Sequence, residues 1–535
     1  MNQQHKPSQL DQCAKQYVYD LAALIPTQAT DWGIPGHDDA LQDFSPEFYE
    51  SVSQRTQQML RDVDTFESDG DEITAAVMRD RLGIAVELWQ RGENLRNLNT
   101  IDSPVQHIRD SLLQMPIGDA IRGRLGKVPQ ALGGYRESLA LAANLGDIAA
   151  RRQIIELLSQ IDDLVNGTVL DKLFDAPVPE IPQAKQAFAE LAAWLREELL
   201  PRAPEVDSFG RDRYELFSRE FTGAEIDLDE AYNWGQEQLA KIIAQQQECA
   251  KELYGSGVSV TEACKRLDQE ERYTLHGVDK LTAWMQNIAD TVVDELSEKH
   301  FKIPDVMRTI ECCIDPAGTG GIFYTPPTDD FSRPGRMWWS VPPGEDTFHT
   351  WKELTTVYHE GVPGHHLQLG LAICQRDKLN LWRRVACWNS GHGEGWALYA
   401  EALMKELGYL DDPGYRMGFY DAQRLRAARV VLDIGVHLGK KTPDGGEWTF
   451  EYAHRFLRNH VAMSDANLHF ELHRYFGWPG QAPSYALGQR LWQELRADAL
   501  QTGQTAREFH AKALAEGSIP MSILRDVVLK QDNGE

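Results

Sequence analysis

The feature that most limits the fold is a helix that cannot run straight through "TTVYHEGVPGHHLQLG", residues 355–370. Two imidazoles four residues apart lie about one turn apart on one helix face, and both can then reach one metal ion at roughly 2.0–2.1 Å. In the pattern His-Glu-x-x-His the intervening glutamate stands beside a metal-activated water as general base. Here the residue four after His359 is Pro363. On an ideal helix His365 is turned about 120° from His359, while His366 faces the same way but lies about 10.5 Å further along. Neither can share an ion with His359 unless the helix breaks. Pro363 has no amide hydrogen for the His359 carbonyl, and Gly364 accepts backbone angles that other residues resist. The Pro-Gly pair therefore supplies a break that loops out the excess residues and returns a later histidine. The alternative is a helix that ends at "GVPG", with both histidines opening a surface segment. The motif alone decides neither.

A second element favours the metal site. A catalytic zinc usually takes three protein ligands and keeps one position open. "GHGEGWALYAEALMKELG" begins at Gly391, and its Glu394 opens a helix 35 residues after His359. Glu401 lies seven residues on, on the same face. Glu394 as a plain N-terminal helix charge is the competing reading, and His392 is a competing ligand.

The rest of the chain is ordinary soluble protein. Its 535 residues, 42% apolar and 25% charged, are ample for a large core. A net charge of −27 disfavours nucleic acid and anionic membranes as partners. The seven cysteines contain no CxxC, which suits a reducing compartment. The first twenty residues lack an apolar signal core and no 18-residue apolar run occurs, so the expected location is cytoplasmic.

Residues 1 to about 205 read as a helical N-terminal region that packs on a catalytic region, 206–535. Prolines 201 and 204 and Gly210 mark the boundary. Beyond it Leu239, Ile242, Ile243, Ala250 and Leu253 form one helical stripe. "VMRTIECCI", "GIFYTPP" and "GRMWWSVPP", between 306 and 343, read as strands of a small sheet ahead of the histidine motif. The expected fold class is mainly α (α+β), with a small antiparallel or mixed sheet before the metal-binding helix.

"YTPPTDDFSRPGRMWW", "YHEGVPGHHLQ", "GEGWALYAE", "RAARVVLDIGVH", "RYFGWPGQAPSYALG" and "GSIPMSILRD" together resemble the bacterial domain of unknown function 885 family, in order over roughly residues 210–530. That family is similar to zinc metallopeptidases of the thimet oligopeptidase, angiotensin-converting enzyme and Taq carboxypeptidase group. The resemblance implies a large helical zincin-like fold and one Zn2+ per chain. It implies His359, His365 and Glu394 as ligands and Glu360 as general base. Of the adjacent pair, His365 is preferred over His366 because it needs the smaller loop-out. By the same analogy a late segment faces the metal, where His473, Arg474, Tyr475 and Tyr485 are on offer; Tyr485 and Arg474 are favoured to support the oxyanion. "GRMWWSV" stands where such proteases pair an edge strand with extended substrate. Arg426, Arg429, Asp433 and His437, spaced by three to four, read as an ion network of the scaffold.

The expected function is a zinc-dependent hydrolase acting on short peptides through an activated water. Alternatives are a hydrolase of a non-peptide amide, ester or lactone, and a catalytically silent peptide-binding relative. The partner is then a peptide or small amide; the oligomeric state is left open.

Overall fold

The computed structural model describes residues 7–115, 118–297, 299–315, 321–342 and 344–530. Two compact units divide the chain. One runs up to Phe209 and includes the short segments Asn380–Trp382 and His473–Trp478; the other holds Gly210–Leu379, Arg383–Leu472 and the chain from Pro479 onward.

The first unit is helical. Arg151–Asn166 shows why: Ile154, Leu157, Leu158, Ile161 and Leu164 recur every three to four residues and are all buried. They share one core with Tyr135 of Val128–Asn144 and with Phe188 and Leu191 of Glu180–Trp194. Each such burial is worth about 1.5–3 kcal/mol. Helix starts are fixed by side-chain caps, as where the Ser45 hydroxyl accepts the Phe48 amide at 3.1 Å.

Among the described residues, the second unit combines helices with five short strands: β1 Thr274–His276, β2 Ile310–Asp315, β3 Ile322–Thr325, β4 Gly335–Ser340 and β5 Thr347–His349. β2, β4 and β3 form a mixed sheet in that order, β4 parallel to β2 and antiparallel to β3. β1 pairs separately with β5. The fold class is therefore mainly α with a small mixed sheet, as expected. One expectation is corrected: β4, the "GRMWWSV" strand, is central and paired on both sides, so its backbone has no free edge for a peptide. Alternation splits its residues between two faces. Met337 and Trp339 join a core with Ile310, Cys312 and Val357, while Trp338 stacks on Phe323 at 6.1 Å on the other face.

The stripe at Leu239, Ile242 and Ala250 is the buried face of Leu228–Tyr254, which packs along Pro413–His437. Ser390–Glu406 crosses Ser484–Gln501 at very close range. A Cβ on Gly395 would stand 2.4 Å from the Gly488 carbonyl carbon, so glycine at the crossing lets the two backbones meet. These helices position the site.

Candidate metal centre

The helix Thr350–Glu360 ends at the break the sequence announced, and a second helix, His365–Cys374, starts after it. Between them lie Gly361, Val362, Pro363 and Gly364, with the Val362–Pro363 peptide cis. The Gly364 amide donates to the Tyr358 carbonyl at 3.1 Å and the His366 amide to the Gly361 carbonyl at 3.1 Å. The chain folds back so tightly that a Cβ on Gly364 would stand 1.9 Å from the His359 carbonyl oxygen. Only glycine fits there. The Trp396 indole, from the facing helix, donates to the Pro363 carbonyl at 2.8 Å and holds the turn in place.

The turn returns His365 to His359. Their rings meet edge to face with centroids 4.9 Å apart. Glu394 comes from Ser390–Glu406, whose start is capped where the Asn389 side chain accepts the His392 amide. One donor atom from each of His359, His365 and Glu394 lies within 4.8 Å of the others. The Glu394 Oε2 is 3.3 Å from the His359 Nε2 and 3.5 Å from the His365 Nε2. Yet it has no hydrogen-bond partner. Ligands at roughly 2.0–2.1 Å around a tetrahedral ion stand about 3.3–3.4 Å apart. The donor set and its spacing therefore fit zinc.

Around the three, other groups take distinct places. The Glu401 carboxylate meets the His359 Nδ1 at 2.8 Å and accepts the Thr355 hydroxyl at 2.5 Å. Nδ1 is thus held as the donor, which makes Nε2 the nitrogen that would give its lone pair to an ion in place of a proton. Glu360 is buried, and its Oε2 has no hydrogen-bond partner. Burial pushes its carboxyl upward, against nearby positive charge. For His359, burial alone would lower the pKa, but the Glu394 and Glu401 carboxylates raise it to about 10. The pocket favours a positive charge at this point.

The adjacent histidines separate cleanly. His366 donates from Nε2 to the Met307 carbonyl at 2.8 Å, and its Nδ1 accepts the Tyr324 hydroxyl at 2.8 Å. Both nitrogens are committed. His365 has a buried Nδ1 without a partner and an Nε2 at the cluster. His392 turns away: its Nδ1 meets the Ile519 carbonyl at 3.0 Å.

A family model described as a bacterial protein of unknown function (DUF885) matches residues 26–528. The chain belongs to that family. Two solved structures share the fold of this DUF885 chain. One, a protein from Colwellia psychrerythraea named as a putative lipoprotein, has a TM-score of 0.81 at 22% identity, covering 97% of this chain and 98% of its own. The other, from Shewanella oneidensis and named in the same way as of unknown function, has a TM-score of 0.74 at 16% identity, covering 98% and 100%. No curated protein matches the chain.

The late residues divide between the units of the DUF885 chain. Tyr485 belongs to the second unit, where the Arg429 guanidinium lies 5.0 Å from its ring. Arg474, with His473 and Tyr475, belongs to the first, where its guanidinium lies 5.9 Å from the Trp478 ring. The four residues read as one ion network have different settings. Arg429 pairs with Glu471 at 2.9 Å. Asp433 accepts the Tyr214 hydroxyl at 2.6 Å and the Gly480 amide at 3.0 Å. His437 packs on the Tyr214 ring. Arg426 has no acidic partner among the described residues. Sequence reasoning placed Glu401 on the right face but missed Thr355, Trp396 and Tyr324, which act through contacts between segments. It also missed Trp388, 44% exposed, whose ring stands 6.3 Å from that of His365.

Proposed function

We propose that this DUF885 chain is a zinc-dependent hydrolase of the metallopeptidase type that cleaves short peptides. The observation that carries the reading is the convergence of His359, His365 and Glu394 around one point, with Glu394 Oε2 near two imidazoles and hydrogen-bonded to neither. A zinc ion held by these three would polarise a substrate carbonyl and lower the pKa of water. Glu360, buried and adjacent in sequence to His359, takes the proton from the attacking water and gives it to the leaving nitrogen. Glu401 keeps the His359 ring in one tautomer. Tyr485, which belongs to the same unit as the three ligands and has the Arg429 guanidinium 5.0 Å from its ring, is the oxyanion donor of this reading, and such a donor is worth up to about 3–4 kcal/mol of barrier.

The paired state of β4 removes that one strand as a substrate edge, and a small non-peptide amide or ester is the second reading. No helix among the described residues is long and apolar enough to cross a membrane.

The test is digestion of a peptide library read by mass spectrometry, with a chelator and with Glu360→Gln. The chelator abolishes cleavage and zinc restores it. Glu360→Gln keeps its zinc and loses turnover by about 10²–10⁴-fold. A Glu360→Gln protein as active as the parent would reject the mechanism.

A further inference from the structure

Arg426 is a charged group of the second unit that this mechanism leaves without a task. It lies on Pro413–His437, one turn before Arg429, on a helix that packs against the histidine helix Thr350–Glu360. Arg429 is neutralised by Glu471, with contacts at 2.9 and 3.2 Å. Arg426 is not. Its one hydrogen bond is a long one, 3.4 Å, to the Ala422 carbonyl of its own helix. Its Nε is buried with no partner.

The residue as a whole is only partly buried, but a guanidinium that loses part of its hydration without gaining an anion is left with a cost that no attraction offsets. Burial here is strong enough to hold Arg426 below the usual arginine range, and the next influence on it is the like charge of Arg429. The charge lies near the reacting groups. After Arg429, the charges that act on Arg426 are those of Glu401, Tyr485 and Glu471. Buried charges that a fold retains without a partner commonly await one. A planar fork of N–H groups fits a carboxylate in two parallel hydrogen bonds.

We propose that Arg426 is the docking point for a substrate carboxylate, so that the enzyme acts on amides carrying a free acid close to the bond it cuts. This rests on the hydrolase reading and narrows it. For a peptide, the acid is the C-terminal carboxylate or an acidic side chain. The shared chemistry is a carboxylate held by the guanidinium while the neighbouring carbonyl faces Glu360.

The experiment uses the zinc-loaded full chain and matched substrates: a short peptide as the free acid, as its C-terminal carboxamide, and as a carboxamide with an acidic side chain. The parent prefers an acid-bearing member over the plain carboxamide by about ten- to a hundredfold in kcat/KM, chiefly through KM, as a charged bidentate contact implies. Which acid-bearing member wins identifies the source. Arg426→Gln collapses the preference. Arg426→Lys, which keeps the charge but not the fork, retains part of it. Equal cleavage of all three by the parent overturns the proposal and leaves the hydrolase reading standing.

A second readout does not depend on hydrolysis. Calorimetry with an N-acetyl amino acid and its amide, on chelated protein so that no ion can hold the acid, should show binding of the acid alone, lost in Arg426→Gln. If no amide is cleaved but this binding is present, the hydrolase reading fails and the carboxylate site survives. Folding gives a third check. Arg426→Met should keep or raise Tm, because it removes a partly buried charge that has no ion-pair partner. A large fall in Tm would mean that Arg426 is satisfied within the protein, and would refute the proposal.

Discussion

The helix Ser390–Glu406 has two faces that are buried alike and built differently. One faces the aromatic cluster. There the Trp396 indole donates to the Pro363 carbonyl, the Trp492 indole to the His392 carbonyl at 2.9 Å, and Tyr399 shares a 2.6 Å bond with His510. Every indole and phenol hydrogen named has an acceptor. The other faces the histidines, where Glu394 Oε2, Glu360 Oε2 and His365 Nδ1 are buried without hydrogen bonds. Buried polar atoms are satisfied almost everywhere in folded proteins. The aromatic side has one such atom too, His392 Nε2 beside the Trp492 ring, so the contrast lies in the three that converge on the histidine side, and the proposed function takes that convergence as the place of an ion.

The largest test of this contrast lies in the two adjacent histidines. His365→Ala should abolish zinc uptake yet cost the metal-free fold little, because its Nδ1 has no partner to lose. His366→Ala should keep the ion and lower stability by about 2–4 kcal/mol, since the Tyr324 hydroxyl and the Met307 carbonyl both lose their partner. Zinc titration and denaturant melts of the two variants measure both effects. Reversed outcomes would break the comparison.

Trp396→Phe is a smaller change. It keeps most of the ring and removes the indole N–H that is shared between the Pro363 carbonyl at 2.8 Å and the Gly364 carbonyl at 3.3 Å, at about 1–3 kcal/mol. The turn that carries His365 should loosen, and zinc affinity should fall together with Tm. Unchanged zinc affinity would show that the aromatic face does not support the other.

The smallest effect concerns Glu353, on the first turn of the histidine helix. Burial pushes its carboxyl from an ordinary 4.5 up to about 7. A carboxyl raised in the folded state contributes stability that is complete below about 4.5 and is lost as pH rises through 7. Glu353→Gln should therefore match the parent in Tm at pH 4.5 and exceed it at pH 8. Parallel Tm profiles would contradict this.

The parts legible in the sequence were those set by local physics. Pro363 and Gly364 announced the broken helix because backbone hydrogen bonding and Cβ sterics are properties of the residues themselves. The stripes at Leu239, Ile242 and Ala250, and the strand runs ending in "GIFYT" and "GRMWWS", followed from periodicity. The order of the sheet did not, because pairing β4 between β2 and β3 depends on which segments meet. The choice of His365 was reached through the shorter loop-out, whereas the physical reason against His366, its bonds to Tyr324 and Met307, joins segments 42 and 59 residues apart. Arg426 looked like one member of a regular ion ladder. Only the placement of Glu471 beside Arg429 separates the two.

The most direct measurement is a crystal structure of the protein grown with zinc, with the ion located by anomalous scattering. The account predicts one fully occupied site, with His359 Nε2, His365 Nε2 and a Glu394 oxygen at about 2.0–2.1 Å and Glu401 still on His359 Nδ1. A map with no anomalous peak between these three side chains, or with His366 in place of His365, would contradict it.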